Sequence, residues 1–209
     1  MFEFGGARFF EDIRASKQDE ATDIYRVSES IRPPWEKDKA EEADIRRAAE
    51  ITEKAEAFIR EHARTDAEKE VACIIADMMR DGRVRVDDTA KEIGYPVYGY
   101  FHPEVDPETG EDRSYICLDR EIILTSGTAE AIDTLTHEGY HAAQRFEGHE
   151  NDSVEEETRA WNMGLEMSNK YRDEQGETIV RTEPYTQEEV REMGYYYTLG
   201  PGVFTELLV

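Results

Sequence analysis

Cysteine is scarce. The 209 residues hold two, Cys73 and Cys117, and neither stands in a CxxC or other metal-ligand spacing. Cys73 falls in the apolar stretch VACIIADMM and Cys117 in the strand-like SYICL, so both are expected to be buried free thiols in a reducing compartment. Long apolar runs are absent too, and nothing approaches the length that spans a bilayer. The first twenty residues, MFEFGGARFFEDIRASKQDE, lack the basic start and apolar core of a secretory signal. A cytoplasmic location is the expectation. No internal repeat or low-complexity tract occurs. Basic residues are outnumbered, 25 against 49 acidic ones, for a net charge of −24. Such a surface repels nucleic acid and anionic membranes and favours basic partners.

What is present is a chain with 38% apolar and 35% charged residues, enough for one sizeable core. Residues 1–37 carry Phe2, Phe4, Phe9, Phe10 and Tyr25 and a Pro33-Pro34-Trp35 break. They are expected to form a loosely structured arm or lid, docked rather than free, because five aromatics seldom stay in solvent. Residues 38–209 are expected to form one domain. Ile45, Ala48, Ala49, Ala55, Phe58 and Ile59 recur near a 3.6 period and predict a helix from Asp38 to about His62. The capping box TDAE at Thr65–Glu68 opens a second helix, which buries Val71, Ile74, Ile75 and Met78 and closes at Gly82.

RVRV, YPVYGYF and SYICLDREIIL are rich in β-branched and aromatic residues and predict a small sheet over roughly 83–124. A helix follows from about Thr128 to Phe146. SVEE at Ser153–Glu156 caps another, running to about Gln175 and stopped by Gly176. TQEE at Thr186–Glu189 starts a short last one.

The stretch TLTHEGYHAAQ, Thr134 to Gln144, holds the informative motif. On a helix His137 and His141 lie one turn apart on one face and can aim two imidazoles at one metal ion. Glu138 is rotated by about 100° from His137, which suits a base acting on water better than a ligand. Both histidines flank an apolar stripe of Ile132, Leu135, Gly139, Ala142, Ala143 and Phe146. Chance supplies an HExxH in roughly two of every hundred chains of this composition.

A catalytic zinc site takes three protein ligands. The extension HExxHxxGxxH is broken here: Gln144 stands at the glycine, Glu147 at the third histidine, and His149 falls two residues too late. The other extension takes a glutamate from a later helix, and Glu155, Glu156 and Glu157 compete. A wheel centred on Glu157 places Val154, Ala160, Trp161, Leu165, Met167 and Tyr171 within about 80° of it. Glu155 falls on the solvated side and Glu156 is the capping-box residue. A lone carboxylate on a buried face costs several kcal/mol unless it is paired or metal-bound. The alternatives for Glu157 are zinc or a salt bridge to a buried Arg or Lys.

HEGYH followed by a helix carrying EEETRAW resembles the gluzincin branch of zinc metallopeptidases, near small bacterial and phage members. The run YICLDREIIL…TLTHEGYHAAQ is similar to the zincin core, where an edge strand precedes the active helix. The resemblance spans roughly 114–168. It implies an α+β zincin-like fold, a small mixed sheet packed on the HExxH helix with additional helices. It implies one zinc ion held by His137, His141 and Glu157, with Glu138 as general base in peptide-bond hydrolysis. The implied substrate is a protein or peptide, with basic residues favoured by the acidic surface. For the oxyanion, Tyr195, Tyr196, Tyr197 and His102 are the candidate donors. Asp133, one turn before His137, is placed to orient it. The competing expectation is an acidic binding or inhibitor protein, DNA-mimicking or partner-docking, with an incidental or non-catalytic metal site.

Overall fold

The computed structural model describes residues 34–89, 97–146 and 153–193. The chain divides into two compact units, Met1–Ala43 and Asp44–Val209, and the second holds the sheet and the HExxH motif. The aromatic arm expected over residues 1–37 lies outside the described residues except for its last four. Those are helical: α1 runs Pro34–His62, starting four residues earlier than expected. A proline fits a first helical turn because its missing N–H has no partner there anyway. Ala48, Thr52, Ala55 and Ile59 face the core, whereas Ile45 is exposed.

Helix α2 (Asp66–Arg80) begins at the expected capping box. Thr65 Oγ1 accepts from Glu68 N at 3.1 Å, and Glu68 Oε2 takes the Thr65 N–H at 2.7 Å. Val71, Ile75 and Met78 share its buried face. Cys73, on the opposite face, is exposed, so the expectation of two buried thiols holds only for Cys117. The helix stops at Gly82, whose φ of +68° suits a residue without a Cβ.

Strands β1 (Val84–Asp87), β2 (Gly99–His102) and β3 (Tyr115–Asp119) form a mixed sheet in the order β1-β3-β2. β1 runs parallel to β3 and β2 antiparallel to it. Ile116 and Leu118 fill the core face of β3. The expected strand SYICLDREIIL is half helix: Arg120–Ser126 forms α3. Asp119 causes the switch. Its Oδ1 caps the Ile122 N–H at 3.0 Å, and its Oδ2 takes the Thr89 hydroxyl at 2.9 Å.

Helix α4 (Thr128–Phe146) carries the HExxH motif and is buried over almost its whole length. It packs against α2, α3, β2, β3 and α5 (Val154–Gln175). The expected stripe holds through Ala143, but Phe146 is exposed. Gly139 sits where α2 crosses: a Cβ there would stand 2.6 Å from Ile75. Gly164 on α5 does the same on the other side, against Asp133. Ser153 caps α5 and left-handed Gly176 ends it. The short α6 (Gln187–Met193) closes the described fold. Among the described residues the fold is α+β, mostly helical with a small three-stranded mixed sheet.

Candidate metal centre

One face of α4 presents Asp133, His137 and His141 in successive turns, and the N-terminal turn of α5 brings Glu157 against them. His137 Nε2 and His141 Nε2 are 3.1 Å apart. Glu157 Oε1 lies 3.4 Å from His137 Nε2, and Oε2 lies 3.1 Å from His141 Nε2. All three residues are under a tenth exposed. Of the three adjacent glutamates, Glu157 is the one that reaches the histidines. Glu155 is exposed, and Glu156 receives the Ser153 hydroxyl at 3.1 Å. Among the described residues no Arg or Lys pairs with Glu157; its ion pairs are to the two imidazoles.

The separations bear on what this triangle can hold. Two imidazole nitrogens 3.1 Å apart repel unless a proton or a cation lies between them. Donors bound to one tetrahedral zinc at its usual bond lengths stand about 3.3 Å from one another. The three observed distances bracket that value. Glu157 Oε2 is buried and, among the described residues, makes no well-angled hydrogen bond despite its nearness to His141. A buried carboxylate oxygen left in this way fits a cation. The donor set, two imidazoles and a carboxylate, suits zinc.

Glu138 also lies close. A carboxylate oxygen of Glu138, with the two imidazoles, makes a group whose donor atoms fall within 4.8 Å, so two acids compete for the role of third ligand. Geometry separates them. Glu138 Oε1 is 4.0 Å from His137 Nε2, longer than either Glu157 contact, and its carboxylate receives the Phe101 N–H from β2. Glu157 engages both histidines; Glu138 stands beside them, held by the sheet.

Electrostatics separates them again. Burial raises the Glu138 carboxyl above its ordinary value, and the histidines only partly offset it. Burial acts to raise Glu157 too, but the two imidazoles hold it well below the usual carboxylate range. Burial acts to lower His137; Glu157 first, then Glu138 and Asp133, override it and push the imidazole up to about 9.

Asp133 does not reach His137 by a hydrogen bond. Its Oδ2 accepts the Ser168 hydroxyl at 3.1 Å, and it acts on the imidazole through charge alone. His102 is not brought to the cluster: it alternates away from Phe101 to the outward sheet face and packs on Tyr115, ring centroids 4.9 Å apart. Tyr195, Tyr196 and Tyr197, and His149, lie outside the described residues. The sequence reading missed the Phe101 N–H and treated Trp161 as plain core. Trp161 and His137 meet in a T-shaped pair, centroids 5.0 Å apart at 75°. Its place four residues after Glu157 was the available signal. The expected edge strand is also corrected: β3, before α3 and α4, is the central strand, and the edge strand touching the motif is β2. Comparison with protein-family models, with curated proteins and with solved structures yields no match to this chain.

Proposed function

We propose that the protein is a zinc-dependent peptidase whose ion is held by His137, His141 and Glu157, with Glu138 as the general base. The observation that carries this reading is the triangle of His137 Nε2, His141 Nε2 and the Glu157 carboxylate, 3.1–3.4 Å on its three measured sides. The resemblance to gluzincins points the same way.

A zinc ion so held supplies a Lewis acid that polarises a carbonyl and lowers the pKa of water to about 7. The chain supplies the rest. Glu138 is beside the triangle and outside it, where a base belongs. A carboxylate in that place can take a proton from water and return it to a leaving amine. The Phe101 N–H donates to that carboxylate.

The same strand supports an extended peptide as substrate. Asp119 N donates to Tyr98 O at 2.9 Å, which sets the alternation of β2. Tyr98, Tyr100 and His102 then turn their backbone groups to β3. Gly99 turns both of its groups outward and Phe101 its carbonyl, the Phe101 N–H being given to Glu138, and among the described residues β2 is an edge. An edge strand accepts an added strand, and this one runs past Glu138.

Elemental analysis of protein prepared without added metal or chelator tests the reading, with about one zinc per chain expected. Glu138→Gln should keep the zinc and lose hydrolysis of a mixed peptide library, whereas Glu157→Ala should lose zinc. Wild-type protein that takes up no zinc sinks the proposal and leaves the acidic binding protein standing. Zinc retained by Glu157→Ala and lost by Glu138→Gln would exchange the two carboxylates' roles.

A further inference from the structure

A histidine that binds metal through one ring nitrogen usually has its ring fixed by a hydrogen bond at the other, often to a carboxylate. Among the described residues His137 lacks that arrangement. Its polar contacts among the described residues are all made at Nε2, to His141, Glu138 and Glu157. Asp133 has the right spacing along α4 but gives its Oδ2 to Ser168.

Trp161 touches His137 instead. The two rings meet edge to face, centroids 5.0 Å apart and planes at 75°, an arrangement aromatic pairs favour. Trp161 follows Glu157 by four residues, one turn along the same face of α5. One helix therefore brings both a carboxylate to the imidazole nitrogens and an indole against the imidazole ring.

The indole is itself braced. Tyr185 packs on it at 5.4 Å between centroids. The Asn162 side chain clamps Tyr185 at both backbone groups, accepting its N–H at 2.6 Å and donating to its carbonyl at 2.9 Å. The Arg181 guanidinium lies over the Tyr185 ring at 4.2 Å and is held by both Glu189 oxygens. A chain of contacts thus runs from Arg181 through Tyr185 and Trp161 to His137.

We propose that Trp161 is a positioning residue that sets the plane of the His137 imidazole, the task a hydrogen-bonding carboxylate commonly performs. The role rests on the metal reading above, and the experiment separates the two. Full-length wild type, Trp161→Ala, Trp161→Phe and Tyr185→Ala are titrated with zinc against a chromophoric chelator. Cobalt(II) forms of each are compared by visible absorption, with circular dichroism as the folding control. Trp161→Ala should bind zinc about tenfold more weakly, the lower end of what loss of such an outer partner does, with a changed cobalt spectrum. Trp161→Phe, which keeps a ring edge, should restore most of both. Tyr185→Ala, which removes the brace and leaves the indole, should fall between and carries the test if Trp161→Ala does not fold. Wild-type affinity and spectrum in the variants overturn the proposal. So does a loss in Trp161→Ala that phenylalanine fails to restore, which marks a cavity effect. Wild type that binds neither zinc nor cobalt removes the metal centre, and the positioning role with it.

Discussion

Adding a single methyl group at Gly164 tests whether the α4–α5 contact holds the candidate centre together. A Cβ at Gly164 would stand 2.4 Å from Asp133 Oδ1 and 2.7 Å from the Asp133 carbonyl oxygen. The side-chain oxygen can swing, but the carbonyl belongs to the α4 backbone. To reach ordinary contact, that gap must grow from 2.7 Å to about 3.4 Å, so the helices part by several tenths of an ångström. Helix propensity alone predicts that Gly164→Ala stabilises by about 1 kcal/mol. Overpacking against rigid backbone costs about 1–3 kcal/mol. The clash should win, leaving a net loss of about 1 kcal/mol.

Glu157 stands two turns before Gly164, about 10 Å along the helix. Metal sites tolerate ligand distances only within about 0.2 Å. The separation should therefore also weaken zinc binding, by about tenfold. Gly139→Ala is the control. Its Cβ would meet Ile75 and Val71 side chains at 2.6 and 3.1 Å, and side chains can repack. Urea unfolding and chelator competition measure both variants. A Gly164→Ala protein as stable as wild type, with unchanged zinc affinity, refutes the reasoning.

Buried polar groups supply three further tests. Burial acts to raise Glu68, but the Lys170 ammonium at 2.7 Å and the capping N–H groups carry it down to about 2. A depressed carboxylate stabilises the fold above its ordinary pKa and loses that contribution as pH falls from about 5 toward 2. Lys170→Met should cost about 2 kcal/mol at pH 7 and less at pH 3, measured by urea titration; an equal cost at both refutes the pairing. Glu130 is shifted the other way, to about 7, by burial first and the Asp133 charge second. Its ionised form therefore strains the fold above pH 7 and its protonated form does not below about 4.5. Glu130→Gln should raise the Tm at pH 8 and leave it nearly unchanged at pH 4.5. The Thr136 hydroxyl is buried with no hydrogen-bond partner among the described residues, so Thr136→Val should stabilise by about 1 kcal/mol. A lower urea midpoint in Thr136→Val counts against that reading.

What could be read from the sequence was local. The Thr65, Ser153 and Thr186 caps were legible because donor and acceptor lie three residues apart in the chain. Glu157 was legible because a charge centred on an apolar face asks for a partner, and periodicity alone shows the face. Arg120–Leu124 was misread because a short apolar run fits a buried strand and a buried helix equally well. The Asp119 side chain decided the matter by turning back to cap Ile122. Cys73 was misread by composition: VACIIADMM is apolar, but its period buries Val71, Ile75 and Met78 and turns position 73 outward.

The parts that escaped the sequence are those made by contact between distant segments. Phe101 comes to Glu138 because β2 pairs with β3 and so lies along α4, which no window around either residue shows. Tyr185 reaches Trp161 because Asn162 recaptures the chain 23 residues later. Both contacts lie beside the motif: one donates to Glu138, the other packs on the indole that meets His137. The motif names the candidate donors, while the sheet edge and the segment after α5 supply their neighbours. Substitutions at Tyr185 or Asn162 should therefore disturb the centre although neither residue touches the ion's candidate ligands. The same spacing transplanted onto an isolated helix would keep the donors and lose the geometry.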